Sequence, residues 1–302
     1  GQRGESADRQ AAAADIDVAR ACIRQARERV EVHARACGVN HAAVFEAVKG
    51  IDYVLHQAAL PSVLRSVENP LSSNAINIDG TLNLLEASRK SGVKKFVMAS
   101  SSAIYGESEE LPQHEDMTPS PLSPYAVTKL TNDYYLRVYR ELYRFPTVAL
   151  RYFNVFGPYQ DPQSDYAAVI PKFITGLLKG EVPLVFGDGE QSRDFIYVDN
   201  CVEANILAAT NDKMTGEQYN VASGRRYTLN QILEILKKII GTDIKVKYTA
   251  KRKGDILHSY GSIDKLKKYG YQPTVDFEEG LRHTVEYYKN RMGYEPAHSI
   301  SL

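Results

Sequence analysis

The sequence predicts an α/β fold in which a parallel sheet is followed by a smaller C-terminal α/β lobe. From residue 41 onward, short apolar runs alternate with helical segments, a pattern typical of right-handed βαβ units. Nearer the C-terminus the strands become shorter, and an amphipathic helix is predicted over residues 229–240. These two observations indicate a large sheet domain and a second, smaller lobe.

The sheet is predicted from three apolar runs that are joined in chain order by two helical segments. Gly92 ends the first of these helices, and Pro124 lies in the first turn of the second. The predicted strands are residues 51–55, 95–99 and 147–151, and the predicted helices are residues 76–90 and 124–142.

The C-terminal lobe is predicted from an amphipathic helix with an N-cap at Thr228 and a stop at Gly241. The remaining elements are helices at 171–178 and 277–291 and strands at 182–186 and 193–198, the last leading into another helix. We therefore divide the chain into an anomalous segment at 1–40, a sheet part at 41–165 and a mainly lobe-forming part at 166–302.

The amino-acid composition bears on which partners, metal sites and cellular location to expect. The chain is 43% hydrophobic and 25% charged with a net charge of zero, which gives no reason to expect nucleic acid or a membrane surface as partner. Cys22, Cys37 and Cys201 have no metal-ligand spacing, so we expect no metal site and a reducing compartment. No apolar run approaches 18 residues and no leader opens the chain, so a cytoplasmic location is the default expectation.

Two motifs point to proton transfer at a carbinol. Tyr125 and Lys129 are four residues apart and share a helix face, while Ser101 lies at the end of a predicted strand. An adjacent ammonium favours the ionised phenol, whose ordinary pKa is about 10. The spacing alone is weak, because 20 tyrosines in 302 residues make a chance match common, and a surface tyrosine over a lysine stem is the alternative. The buried strand before the serines favours the site, since open α/β sheets bind ligands at carboxyl ends of strands.

These and other strings closely resemble the extended short-chain dehydrogenase/reductase family, in particular NAD-dependent nucleotide-sugar epimerases. The resemblance covers about residues 41–290 and implies a Rossmann-like parallel sheet with a nucleotide-sugar lobe. The strings are HQAA at 56–59, NIDGT at 77–81, SSSAIYG at 100–106, YAVTK at 125–129, RYFNVFGP at 151–158, AAVIP at 167–171, GDGEQSRDF at 187–195 and GD at 254–255.

The resemblance implies a role for each matching residue. Tyr125 would take the proton of the sugar hydroxyl, Lys129 would bind the nicotinamide ribose and lower the pKa of the phenol, and Ser101 would share the reacting oxygen. Small-residue packing is an equal alternative for Ala58. The implied cofactor-binding residues are Ala58, Ala59, Asn77, Ser100, Tyr125, Lys129 and Tyr152.

On the substrate side the resemblance implies a UDP-sugar. Arg193 and Arg252 would bind its diphosphate, because guanidinium groups donate in planar forks and stay charged. The alternative for Arg193 is a salt bridge to Asp194 or Asp199. The implied substrate-binding residues are Ser101, Asn154, Ala168, Val169, Phe186, Arg193, Arg252, Asp255 and Ser259, with core packing as the alternative for Ala168, Val169 and Phe186.

The reaction type is inferred from the two residues after Ser101. Sugar 4,6-dehydratases of this superfamily have an Asp-Glu pair there for elimination, whereas this chain has Ser102 and Ala103. The resemblance therefore implies a 4-epimerase, which removes hydride from C4 and returns it to the other face of a 4-keto sugar. A dehydratase is the less favoured alternative.

Ser259 bears on the choice of sugar. In the resembled 4-epimerases a bulky aromatic residue at this position excludes a 2-acetamido group, so a serine leaves room for UDP-N-acetylhexosamines as well as UDP-hexoses. Tyr260 and Gly261 depart from the small-then-acidic pair that is usual after this position.

Residues 1–40 do not match the resembled family, which opens with an apolar strand and a Gly-x-x-Gly-x-x-Gly turn for the cofactor pyrophosphate. They contain ten Ala and seven Arg but no Leu, Lys or aromatic residue, and we expect out-of-frame translation or a misjoined gene start. Without that strand and turn we expect a bared sheet edge and weak NAD binding. A nucleotide-sugar binder without catalysis and a fragment without function are the alternatives. By analogy with the family, a homodimer is expected.

Overall fold

The structure is a computed structural model that describes residues 41–162, 169–251 and 257–294. The described strands are β1 Tyr53–His56, β2 Lys95–Ser101, β3 Thr147–Tyr152, β4 Asn154–Phe156, β5 Leu184–Phe186, β6 Ser192–Arg193, β7 Phe195–Tyr197, β8 Glu217–Val221, β9 Tyr227–Thr228, β10 Lys247–Thr249 and β11 His258–Ser259. The described helices are α1 His41–Val48, α2 Val63–Glu68, α3 Pro70–Asn74, α4 Gly80–Lys90, α5 Pro124–Tyr143, α6 Val169–Leu178, α7 Val198–Thr210, α8 Leu229–Ile240, α9 Asp264–Lys267 and α10 Phe277–Met292.

The central sheet is parallel throughout, which confirms the predicted fold class. Its strand order within the described residues is β1-β2-β3-β8, and α5 makes the crossover from β2 to β3. Six of the seven residues of β2 are buried, as expected for a central strand covered by helices on both faces. Because the strands are parallel, their carboxyl ends lie at one edge of the sheet.

Helix α5 begins where the sequence signals indicated. Ser123 caps it by accepting a hydrogen bond from the amide of Ala126, and Pro124 occupies the first turn. Its buried face packs on β2 and β3 through Leu136 and Tyr139. The helix thus holds its first turns against the carboxyl edge of the sheet.

Three other segments differ from the predictions. The predicted helix at 76–90 starts with a π-helical turn, Ala75–Asp79, that follows α3 directly. The predicted strand at 193–198 is two strands, β6 and β7, which are separated at Asp194, and the side-chain carboxylate of Asp194 accepts from the amides of Ser223 and Gly224. Strand β8 has no counterpart in the predictions, since its polar residues conceal a buried strand.

The C-terminal lobe is built around one apolar cluster and three small sheets. Helix α8 has the predicted cap at Thr228, completed by a capping box with Gln231, and ends at Gly241. The small sheets pair β4 with β7, β10 with β5, and β6 with both β11 and β9. Helix α7 and β8 return to the central sheet, so the segment after 165 serves both parts of the molecule.

The proposed boundaries at residues 40 and 165 fall next to parts of the chain outside the described residues, and they stay predictions. The expected absence of a first strand and glycine-rich turn likewise concerns residues 1–40, which lie outside the description. None of the described helices is long and apolar enough to cross a membrane. In the same described ranges, no group of three or more His, Cys, Asp or Glu side chains could hold a metal ion.

Candidate active site

Tyr125 and Ser101 come together at the carboxyl edge of the sheet. Ser101 is the last residue of β2, and Tyr125 lies in the first turn of α5. The Ser101 hydroxyl acts on the phenol by lowering its pKa, and the backbone amide of Tyr125 donates to the Ser66 hydroxyl at 3.0 Å. Tyr125 is buried at this position, with only 9% of the residue exposed. The end of β2 and the first turn of α5 thus bring Ser101 and Tyr125 to the same edge of the sheet, and their catalytic roles stay predictions.

Lys129 lies one helical turn after Tyr125 and points to the same edge. Its ammonium donates to the carbonyl of Ala99 at 2.6 Å and lies 6.0 Å from the centroid of the Tyr125 ring. Burial lowers the pKa of Lys129 to about 8, against the opposing attraction of Asp133. The lysine is thus a buried cation that is held by a backbone carbonyl of β2.

The protonation of Tyr125 differs from the expectation. Burial raises the pKa of Tyr125 above its ordinary value, and the nearby Ser101 hydroxyl only partly opposes this. The ammonium of Lys129 is bound to Ala99 instead of the phenol. The residues of this site alone therefore do not make Tyr125 a base near neutrality.

Asn77 fixes the loop that follows β1. Its side-chain carbonyl accepts from the amide of Leu60 at 2.7 Å, and its amide group donates to the Leu60 carbonyl at 3.3 Å and to Thr128 at 3.1 Å. With 1% exposure, Asn77 is committed to internal contacts. It therefore ties the backbone around Ala58 and Ala59 to α5, and any effect on a cofactor would act through that loop.

A second polar chain joins β1 to the same helix. The His56 ring is hydrogen-bonded to the Thr81 hydroxyl at 2.9 Å, and Asn132 donates to Thr81 at 3.2 Å and to the carbonyl of Asn77 at 2.7 Å. Burial, with a further contribution from Lys129, lowers the pKa of His56 to about 3. His56 is consequently a neutral structural histidine.

Tyr152, at the end of β3, lies across from Ser101 in register. Its hydroxyl contacts Gln57 at 3.2 Å and Asn205 at 2.5 Å, and the side chains of Gln57 and Asn205 meet at 3.0 Å. Burial raises the pKa of Tyr152. Ser100 is buried on β2, where its hydroxyl faces Asp133. Ser100 and Tyr152 thus both lie next to Ser101 at the carboxyl edge of the sheet.

The predicted substrate residues of the lobe meet along β6. Asn154 donates its side-chain amide to the carbonyl of Asp194 at 3.0 Å. Arg193 donates to the carbonyls of Ser192 and Leu257 at 2.9 and 3.2 Å. Ser259, 9% exposed, pairs with Arg193 in register between β11 and β6. These contacts bring Asn154, Arg193 and Ser259 onto neighbouring strands.

Asp194 is a buried carboxylate with backbone partners. It accepts from the amide and hydroxyl of Ser223, both at 2.7 Å, from the amide of Gly224 at 3.0 Å and more weakly from Gly261 at 3.4 Å. Burial raises the pKa of Asp194 to about 6 despite these donors. The unusual Gly261 is explained by space, since a Cβ there would lie 2.5 Å from the ring of Phe153.

The positions of the other predicted substrate residues do not distinguish substrate binding from core packing. Val169 begins α6 and packs against the apolar cluster of the lobe, and Phe186 ends β5 with intermediate burial. Both positions are compatible with core packing. Ala168, Arg252 and Asp255 lie outside the described residues.

Sequence reasoning missed a buried ion pair next to the site. Asp133 and Arg151 meet at 3.0 Å, and both side chains are about 95% shielded, at 5% and 4% exposure. The available signal was the spacing of Asp133, which follows Lys129 by the four residues that also separate Lys129 from Tyr125. Its partner on β3 required the fold.

The chain matches a known protein family and is similar to several named proteins. The model of the NAD dependent epimerase/dehydratase family matches residues 5–222, so the match begins inside the segment that we expected to differ. A UDP-glucuronate 4-epimerase of Thermodesulfobacterium geofontis is 38% identical over 252 residues, covering 82% of this chain and 76% of the relative.

Two solved structures are also similar. A UDP-N-acetylglucosamine 4-epimerase from Methanobrevibacter ruminantium, in complex with UDP-N-acetylmuramic acid, is 48% identical with a TM-score of 0.80, and the match covers 83% of this chain and 81% of that one. A UDP-glucose 4-epimerase from Thermotoga maritima with UDP-glucose is 40% identical with a TM-score of 0.79, at 84% and 82% coverage.

Proposed function

We propose that this chain, which belongs to the NAD-dependent epimerase/dehydratase family, inverts C4 of a UDP-hexose or UDP-N-acetylhexosamine. The reaction would pass through a 4-keto sugar. The observation that carries this proposal is the placement of Tyr125 and Ser101 together at the carboxyl edge of the sheet, with the Lys129 ammonium 6.0 Å from the centroid of the phenol ring. A phenol, an alcohol and a cation in that arrangement can move a proton at one hydroxyl oxygen.

Tyr125 would accept the proton of the C4 hydroxyl and later return it, and Ser101 would share the same oxygen. NAD, when bound, supplies the acceptor and donor of the C4 hydride and a positive charge beside the phenol. That charge would offset the burial that raises the pKa of Tyr125. General acid–base catalysis of this kind typically contributes about 10²- to 10⁴-fold in rate.

The described residues fit the nicotinamide half of the cofactor. Lys129 presents a buried donor at the edge where open α/β sheets bind dinucleotides, and Asn77 fixes the loop that holds Ala58 and Ala59 beside it. The pyrophosphate half concerns residues 1–40, which the structure does not describe, so the expected weak NAD binding stays a prediction.

Arg193 and Asn154 would hold the UDP diphosphate. Asn154 and the backbone at Arg193 are fixed by neighbouring strands, and a guanidinium suits a diphosphate because it donates in a planar fork. We propose the same ligand for Arg252 and a ribose contact for Asp255, on the strength of the resemblance alone.

The sugar class is proposed from Ser259. This small residue lies in β11 directly beside Arg193, so a hexose next to the diphosphate would meet it. The names of two similar structures contain UDP-N-acetylglucosamine and UDP-glucose respectively, which supports acceptance of both sugar classes. Turnover of UDP-glucose alone would contradict this part of the proposal.

Elimination is disfavoured by the residues that follow Ser101. Ser102 and Ala103 begin a 3₁₀ turn where a dehydratase has an acid and a base, and the amide of Ala103 donates to the Ser101 hydroxyl at 3.1 Å. Neither side chain titrates near neutral pH. A dehydratase reaction would need another acid at this place.

A homodimer through α5 is proposed from its outer face. Val127, Tyr134, Val138 and Leu142 are 43–71% exposed and lie on one side of that helix. Leu64 and Leu71, on the neighbouring α2 and α3, extend the apolar surface. A second copy would cover it, and light scattering after size-exclusion chromatography would decide between one and two chains.

The proposed function is tested by incubating the protein with NAD and UDP-glucose or UDP-N-acetylglucosamine and separating the products chromatographically. We expect the C4 epimer of each sugar nucleotide. Binding of both sugar nucleotides without product would instead support a non-catalytic binder, and the absence of binding and product would overturn both functions.

A further inference from the structure

Tyr125, Lys129 and Asp133 form a row on the buried face of α5. They are spaced four residues apart, so each lies one helical turn from the next. All three are buried in the described structure, with exposures of 9%, 4% and 8%. The row therefore extends from the proposed reacting hydroxyl into the interior.

Arg151 holds the inner end of this row. Its Nε donates to Asp133 Oδ2 at 3.0 Å, and its Nη1 donates to the Tyr105 hydroxyl at 3.0 Å. The Tyr105 hydroxyl in turn donates to Asn220 on β8 at 2.6 Å. Because β3, the turn after β2 and β8 all contribute, the position of the Asp133 carboxylate is fixed from several elements.

Lys129 needs a negative charge nearby because it is a buried cation. Its hydrogen bond goes to the neutral carbonyl of Ala99. The ionisable groups that face this part of the site are Tyr125 and Asp133 on α5 itself, His56 on β1, Arg151 on β3 and Tyr105 in the turn after β2. A further buried carboxylate, Glu115, faces Tyr105 and Arg151. Of these two carboxylates, Asp133 is the one that attracts Lys129.

We propose that Asp133, anchored by Arg151, is a positioning residue that keeps the Lys129 ammonium charged and in place beside Tyr125. Its carboxylate compensates the buried cation. Burial raises the pKa of Asp133, and Arg151 and the Ser100 hydroxyl oppose that effect. The expected effect of Asp133 on turnover rests on the proposed function. The charge state of Lys129 does not, because it is a property of the protein itself.

The test is a ¹³C NMR titration of the full-length protein, labelled at lysine Cε, with the Lys129 signal assigned by its loss in Lys129→Gln. In the wild type we expect Lys129 to stay charged at pH 7 and to titrate near pH 8. Titration below pH 7 would overturn the proposal. This measurement needs no variant of Asp133 and no activity.

Two variants of Asp133 separate charge from packing. Asp133→Asn keeps the shape but loses the charge, so the pKa of Lys129 should fall by at least about one unit, a tenfold change in its ionisation. Asp133→Glu restores the carboxylate and most of the shift. Asn132→Ala is the matched control, because it removes hydrogen bonds from the same turn without changing charge, and it should leave the Lys129 signal in place.

If the wild type turns over a UDP-sugar, the alkaline limb of its pH–rate profile should move to lower pH in Asp133→Asn and return in Asp133→Glu. An unchanged Lys129 titration in Asp133→Asn would overturn the proposal. Absence of turnover in the wild type would overturn the proposed function instead, and the titration would still decide the role of Asp133.

Discussion

The Lys129 ammonium lies 6.0 Å from the centroid of the Tyr125 ring and donates at 2.6 Å to the carbonyl of Ala99 on the adjacent strand. The cation therefore lies within one helical turn of the phenol without being bound to it. Since burial raises the pKa of Tyr125, the ionised phenol requires a further positive charge. In the proposed reaction we therefore expect the positive charge of bound NAD to favour the ionised form of Tyr125.

Tyr125→Phe tests the base. The change removes one hydroxyl at the site, so kcat for the UDP-sugar should fall by about 10²- to 10⁴-fold, the usual contribution of general acid–base catalysis. Binding of the UDP-sugar, measured by calorimetry, should stay close to the wild-type value. Tyr134→Phe, on the exposed face of the same helix, is the control and should keep full activity. Equal activity of both variants would show that Tyr125 moves no proton.

Arg193→Lys tests the diphosphate contact. Lysine keeps the charge but loses the planar fork, so the Kd for the UDP-sugar should rise at least about tenfold. Arg282→Lys, on the outer face of α10 with 62% side-chain exposure, is the matched control and should bind normally. If UDP and UDP-sugar bind Arg193→Lys as tightly as the wild type, the diphosphate is held elsewhere.

Ser259→Tyr tests the sugar pocket. The ring would fill the space expected for a 2-acetamido group, so kcat/KM for UDP-N-acetylglucosamine should fall at least about tenfold more than kcat/KM for UDP-glucose. Ser259→Ala, which adds no bulk, should leave the ratio of the two values unchanged. Parallel losses for both sugars in the tyrosine variant would mean that this position does not distinguish them.

His56→Gln tests the acid sensitivity of the fold. The pKa of His56 is lowered to about 3 by burial, whereas an unfolded histidine has an ordinary pKa of about 6.5. Between these values the unfolded state binds the extra proton, so His56 contributes stability above about pH 6.5 that is lost as the pH falls toward 3.

The expected slope for His56 is about 1.4 kcal/mol per pH unit, or about 2 kcal/mol between pH 6.5 and 5. Urea denaturation at several pH values should therefore show a smaller loss of unfolding free energy in His56→Gln than in the wild type. His114→Gln, which removes a histidine with 39% side-chain exposure, is the control variant. Identical slopes in the wild type and His56→Gln would contradict the buried neutral histidine.

Short-range sequence patterns predicted those parts of the fold that are formed by residues close together in the sequence. Ser101 at a strand end, the helix of Tyr125 and Lys129, and the cap at Thr228 all follow from short-range patterns and are present in the structure. Strand β8 was not predicted because Asn220, a polar residue, is fully buried there with hydrogen-bond partners from distant segments.

The ion pair of Asp133 and Arg151 was also not predicted, for a related reason. Asp133 shares the face of Lys129, but an acidic residue in a helix is ordinarily solvated. Its burial is understood only once β3 brings Arg151 within 3.0 Å. Likewise, the inward turn of Asp194 depends on amides from the segment after β8, which no spacing in the sequence reveals.

The central claim is that this site removes hydrogen from C4 of a UDP-sugar and returns it to the other face. Incubation of the protein with NAD and UDP-[4-²H]glucose in ordinary water, followed by proton and deuterium NMR of the product, tests it most directly. We predict UDP-galactose that retains deuterium at C4. Unchanged substrate, loss of deuterium to water, or a 4-keto-6-deoxy product would contradict the account.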